Sequence, residues 1–247
     1  MGKPNQPRVL DVVTCSYRLN RAALFVNSVL RKFGVRVVAD NSLVVVNDWV
    51  ARLLYFSRLF NLLGNVSGDI VECGVADGGS QVIFATLNRN MPVKRHIWGF
   101  DSFEGLPEPG KEDMDSPRAI ARKGMYAGSI ASVLSNLKRA GIDENYIKEN
   151  ISLVKGWFAD TLPDFKGSIA FLHVDGDLYE SNKCVLENLW QHVVTGGIVA
   201  FDDYLDTERF PGDKKAVDDF FSSFIKNGDV KMSKDPYYHR CYIVRLK

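Results

Sequence analysis

Cysteine is scarce in this chain of 247 residues: four are present, at positions 15, 73, 184 and 241, and no two form a CxxC pair. That scatter argues against a structural zinc site and against a disulfide framework, and suits reduced thiols in a cytoplasmic protein. Long apolar runs are also lacking. Nothing approaches the ~18 consecutive apolar residues of a membrane span, and MGKPNQPRVLD at the start has no apolar signal-peptide core. Charge of one sign is missing too, since 31 basic residues face 30 acidic ones for a formal net charge of +1. A protein without a basic excess has no general means of gripping a phosphate backbone, so nucleic acid is not an expected partner. Repeats and low-complexity segments are absent. What remains is an ordinary globular composition, 46% hydrophobic and 25% charged, sized for one domain with decoration.

The present features begin at residue 68. In GDIVECGVADGGS, residues 68 to 80, Ile70, Val71 and Cys73 read as a short buried strand, followed by Gly74, Gly78, Gly79 and a helix from Ser80. Strand, glycine turn and helix start is the way an open α/β sheet makes room for a nucleotide-like ligand at its carboxyl edge. The pattern then repeats. Ile97 to Phe100 reads as a second strand ending in Asp101, ISLVKGWF as a third, IAFLHVDGD as a fourth and GGIVAFDDY as a fifth, with helices at residues 129–142, 179–194 and 214–228. VKMS and CYIVRL close the chain as two strands with no helix between them, hence an antiparallel pair. The expected fold is α/β: a mostly parallel, Rossmann-like sheet with helices on both faces and an antiparallel C-terminal hairpin. The loop through residue 125 is long enough to read as a lid or binding loop.

Residues 1–67 lack this rhythm. Two helical patterns, 21–34 and 47–65, flank an extended pair over 35–46. We expect an N-terminal helical cap or oligomer segment over 1–67 and a second domain over 68–247. The apolar helix near 48–63 favours a homo-oligomer.

Asp101 falls where such a sheet places a carboxylate for ribose hydroxyls, with a turn or cap role as the competing reading. Asp175 and Asp177 follow the fourth strand and Asp202 and Asp203 end the fifth, so these acids converge at one sheet edge. Converging carboxylates repel unless a cation sits between them, and oxygen-only ligands favour Mg2+ over zinc. His173, inside the fourth strand, reads as a satisfied core histidine, and His239 as a loop residue with some reach to the site.

Taken together, GDIVECGVADGGS, GFDSFEGLPEP, GWFADTLP, LHVDGDLYES and GGIVAFDDY resemble the macrocin O-methyltransferase family over residues 66 to 225. The resemblance implies a class I methyltransferase using S-adenosyl-L-methionine and Mg2+ on a sugar hydroxyl of a small-molecule glycoside or glycan. It further implies that Glu72, Gly74, Val75, Gly78, Gly79 and Ser80 hold the methionine end of the donor, with Asp175 beside them. Asp101 and Ser102 would take the ribose, Ser129 and Trp157 the adenine, and Asp175, Asp202 and Asp203 the metal. The expected base is Asp175, with His239 second. A phenol or catechol acceptor, and a nicotinamide-dependent oxidoreductase sharing the glycine turn, are the alternatives.

Overall fold

The computed structural model of the chain describes residues 9–12, 36–39, 47–236 and 238–247. They fall in two compact units, Met1–Asn47 and Asp48–Lys247. In the first, strands β1 (Val9–Val12) and β2 (Arg36–Ala39) pair in parallel, Val9 opposite Arg36 and Val12 opposite Ala39. The extended pair expected over 35–46 is thus met only by β2, whose partner is a segment the sequence pattern did not single out. The second half of that pair and the helix expected over 21–34 lie outside the described residues.

The second unit is built on a seven-stranded sheet in the order β5-β4-β3-β6-β7-β9-β8. Its strands are β3 (Asp69–Cys73), β4 (Ile97–Asp101), β5 (Ile151–Lys155), β6 (Ile169–Val174), β7 (Val193–Phe201), β8 (Val230–Lys234) and β9 (Cys241–Arg245). Strands β3 to β7 run parallel, and β9 lies antiparallel to both β7 and β8. Seven helices accompany them: α1 (Asn47–Leu63), α2 (Gly79–Asn88), α3 (Ile130–Arg139), α4 (Glu144–Asn150), α5 (Phe158–Thr161), α6 (Tyr179–Leu189) and α7 (Pro211–Lys226). This is the mostly parallel sheet expected. Among the described residues no helix is long and apolar enough to cross a membrane.

Side chains alternate across a strand, so each central strand feeds two cores. Ile70, Phe171, Ile198 and Ala200 pack with α1 and α2 on one face, while Val71, Cys73, Leu172, Val174, Val199 and Phe201 pack with α6 and α7 on the other. Helix α1 therefore belongs with the sheet rather than with a cap ending at residue 67. Its Tyr55, Phe56, Leu59, Phe60 and Leu63 are buried, with Phe56 edge-on to Phe84 at 4.8 Å between centroids and Phe60 at 5.2 Å from Phe171. The helix closes at Gly64, whose left-handed backbone (φ 53°) carries an N–H to the Phe60 carbonyl at 3.1 Å.

Strands β4 and β5 lie to one side of β3, and β6 and β7 to the other. The chain direction of growth reverses between β3 and β6, which opens a crevice beyond their carboxyl ends. Backbone pairing runs on past the strands there: the Asp175 N–H donates to the Cys73 carbonyl at 2.9 Å and that of Asp202 to Val174 at 3.1 Å.

Candidate active site

The glycine turn after β3 leaves no room for side chains at its first position. Gly74 has φ 99°, and a Cβ there would lie 1.8 Å from the Asp175 carbonyl oxygen. Gly78, also left-handed at φ 82°, starts α2, where a Cβ would lie 2.7 Å from a Val133 methyl carbon. Asp101, at the end of β4, secures the turn between them. Its Oδ2 accepts from the N–H groups of Val75 at 2.7 Å and Ala76 at 2.9 Å, and its Oδ1 accepts from Phe103 N–H at 2.5 Å. The carboxylate expected to meet ribose hydroxyls thus also shapes the loop that would hold the donor.

Above this turn is a cavity of about 590 Å3, within the range of small-molecule sites. Of the expected residues, Glu72, Gly74, Val75, Gly79, Ser80, Asp101, Ser102, Trp157, Asp175, Asp202 and Asp203 line it. Three do not. Gly78 sits behind the turn against Val133; Ser129 caps α3, its Oγ accepting from Ser132 N–H at 3.0 Å; His239 is exposed on the β8–β9 connection, and its neighbour Arg240 lines the cavity instead. The loop expected to act as a lid contributes Gly105, Leu106, Pro107, Met125, Tyr126 and Ala127 to the wall. It is braced by a Leu106–Met125 backbone hydrogen bond of 2.8 Å.

A family model for the macrocin-O-methyltransferases (TylF) matches residues 60–229. The chain belongs to the macrocin-O-methyltransferase family. It is similar to demethyldecarbamoylnovobiocin O-methyltransferase of Streptomyces niveus, 35% identical over 208 residues that make up 77% of each chain. It also resembles the 8-demethyl-8-(2,3-dimethoxy-alpha-L-rhamnosyl)-tetracenomycin-C 4'-O-methyltransferase of Streptomyces olivaceus, 38% identical over 148 residues, 58% of this chain and 55% of that one. The match thus spans little more than half of that relative's length. Among solved structures, the O-methyltransferase NovP superposes with a TM-score of 0.67 at 31% identity, covering 80% of this chain and 81% of its own. Membership of this family sets aside the nicotinamide alternative.

In this family member the carboxylates at the cavity floor divide into two sets. Asp175, Asp177 and Asp203 each offer an oxygen within 4.8 Å of the others, and His173, Asp175 and Asp202 form a second such group. The expected trio of Asp175, Asp202 and Asp203 is therefore split. Beyond the end of β7 the chain bends, so that Asp202 lies beside His173 while Asp203 groups with Asp177. Asp202 is wrapped in cations: Arg52 Nη2 at 2.9 Å, Arg240 Nη2 at 3.3 Å and His173 Nε2 at 3.5 Å. Burial opposes its charge, but Arg52, His173 and Arg240 hold Asp202 well below the usual carboxylate range. The other set has no such surplus. Burial and the neighbouring acids push Asp175 up to about 7 and Asp203 up to about 8, and drive Asp177 well above its ordinary value. Three crowded oxygen donors reluctant to ionise together fit a hard divalent cation.

Three participants, His173, Arg52 and Arg240, were not legible as such in the sequence. His173 is a core residue as expected, but it bridges Glu72 Oε1 at 3.1 Å and Asp202, and although burial would lower its pKa those two acids raise it to about 9. Glu72 is further held by Gln81, whose Nε2 donates to Oε2 at 2.7 Å. Arg52 comes from the apolar helix α1, where it is one of two arginines among Leu, Phe and Tyr and nothing in the sequence sets it apart from Arg58. Arg240 completes the group, and Asp177 was among the converging acids expected from the sequence.

Proposed function

We propose that the chain is an S-adenosyl-L-methionine-dependent, Mg2+-assisted O-methyltransferase that acts on a sugar hydroxyl of a glycosylated natural product or glycan. The observation that carries the reading is the sharing of one cavity rim by the glycine turn with its Asp101 clasp and by the acids at the ends of β6 and β7. The sugar acceptor is supported by relatives whose names place their methyl groups on rhamnosyl and novobiocin scaffolds.

In this reading Glu72 and the turn from Gly74 to Ser80 receive the methionine end of the donor. Ser102 and Asp101 face the ribose, and the half-exposed Trp157 offers a face for the adenine. The donor supplies a methyl group on a sulfonium, open to in-line displacement by the acceptor oxygen. Asp175, Asp177 and Asp203 would hold the divalent ion, which supplies Lewis-acid polarisation of the hydroxyl. Asp175, which lines the cavity and pairs with Arg52, is assigned the hydroxyl proton in this reading. The cavity walls fix the approach of the two reactants, and such positioning is worth several kcal/mol, up to about 7–11 in favourable cases.

A cytoplasmic setting is supported by Cys73, Cys184 and Cys241, which are all free thiols. Self-association is supported by Trp49, Val50, Leu53, Leu54 and Leu62, apolar residues of α1 that are exposed in the single chain. The test of the function is a methyl-transfer assay with labelled donor, with and without EDTA, against a panel of rhamnosylated and catechol acceptors. The reading expects label on a sugar oxygen and loss of turnover with chelator. Turnover only on the catechols would refute the sugar assignment.

A further inference from the structure

One side chain touches both halves of this cavity. The Arg52 guanidinium is 13% exposed and sits beside the rings of Phe56 and Trp49, at 5.7 and 5.9 Å from their centroids. Its Nε donates to Ser80 Oγ at 3.2 Å, at the start of α2, where the methionine end of the donor is assigned. Its Nη2 lies 3.2 Å from Asp175 Oδ2 and 2.9 Å from Asp202 Oδ1, and Nη1 donates to Asp202 Oδ2 at 3.3 Å. One positive charge therefore serves the donor end of the pocket and an acid of the cation nest at the same time.

We propose that Arg52 is a positioning residue that couples donor binding to divalent-ion binding. The inference rests on the functional reading above. While the donor pocket is empty, the charge of Arg52 rests on Asp175 and Asp202 and opposes a second cation there. The α-carboxylate of the donor is a new negative group at the Ser80 end, and it draws part of that charge away from Asp175. Asp175 then regains its full attraction for the ion, while Arg240, 3.3 Å from Asp202 Oδ2, keeps that acid neutralised. Each ligand strengthens the other, and by linkage the two enhancements are equal. The fork geometry matters: only a planar guanidinium reaches a hydroxyl with one nitrogen and two carboxylates with the others.

Calorimetric titration of Mn2+ into wild type, Arg52→Gln and Arg52→Lys, each alone and saturated with S-adenosylhomocysteine, tests this directly. S-adenosylhomocysteine keeps the amino-acid end, carboxylate and ammonium alike, without the sulfonium, so repulsion between the sulfonium and the ion does not enter. Wild type is expected to bind Mn2+ about fivefold or more tighter with S-adenosylhomocysteine present, and to show the same factor in the reverse titration. Arg52→Gln is expected to bind Mn2+ about fivefold tighter on its own, with the enhancement reduced to within about twofold of none. Arg52→Lys keeps the charge but not the span, so its enhancement should fall below half that of wild type. It serves the same purpose should Arg52→Gln fail to fold. Equal enhancement in all three proteins, or none in wild type, would overturn the coupling while leaving the function standing. A folded wild type that binds neither ligand would overturn both.

Discussion

Substituting His173 by Gln perturbs a fully buried charge. The imidazole is fully buried, edge-on to Phe56 and Phe84 at 5.1 and 5.6 Å, with Glu72 Oε1 at 3.1 Å on one side and Asp202 Oδ1 at 3.5 Å on the other. Glutamine can still donate one hydrogen bond but carries no charge, so Glu72 is left as a buried carboxylate facing neutral partners. Removing one member of a buried pair in this way costs about 3–5 kcal/mol. The effect depends on pH with a definite sign. The folded pKa of His173 is raised from 6.5 to about 9, so its contribution is fully present below pH 6.5 and is lost as pH rises through 9. That rise corresponds to on the order of 3 kcal/mol. Asp175 and Asp203 are also raised, and the His173 charge helps hold Asp175 down, so part of the effect of the substitution passes through Asp175. Urea unfolding of wild type and His173→Gln at pH 6 and pH 9.5, with unchanged m-values, reports the histidine together with the acid coupled to it. The difference between the two proteins should be large at pH 6 and shrink toward pH 9.5. A difference below about 1 kcal/mol at pH 6, or one that grows with pH, would refute the assignment of an imidazolium between two acids.

Three further outcomes follow from the site. Gly74→Ala places a Cβ against the Asp175 carbonyl at a backbone angle L-residues avoid, and should lower the urea midpoint by the equivalent of about 3 kcal/mol or prevent folding; a wild-type midpoint would contradict the close approach. Asp202→Ala should abolish turnover while calorimetry shows S-adenosylhomocysteine affinity within a few-fold of wild type, and joint loss of both would assign Asp202 a purely structural role. Trp157→Ala should weaken S-adenosylhomocysteine by about tenfold with little change in the acceptor KM, as expected of a stacking face worth about 1–1.5 kcal/mol; unchanged donor affinity would remove the residue from the adenine subsite.

The strands beneath the site were readable because β3, β6 and β7 are largely buried on both faces and so appear as mostly apolar runs, those of β6 and β7 followed directly by acids. Helix α1 was recognisable as buried, yet nothing local says against what; only the pairing of Phe56 and Phe60 with Phe84 and Phe171 ties it to the sheet rather than to a cap. The same limit governs the site. Glu72 and His173 are direct neighbours because β3 and β6 are adjacent and in register, which strand order decides and spacing does not. Asp202 and Asp203 look equivalent in sequence, but the chain bends just past the end of β7 and sends them to different partners. His239 sits at a left-handed turn position (φ 52°) and is exposed, so the loop residue with reach to the cavity was Arg240. Arg52 lies 123 residues before Asp175, too far for any motif to join them.

A crystal of the protein grown with S-adenosylhomocysteine and Mn2+, with data collected at the manganese edge, tests the central claim most directly. The account predicts an anomalous peak among the oxygens of Asp175, Asp177 and Asp203, beside a ligand whose methionine end rests on the turn from Gly74 to Ser80. A peak elsewhere, or a ligand bound away from that turn, would contradict the sharing of one rim by donor and ion.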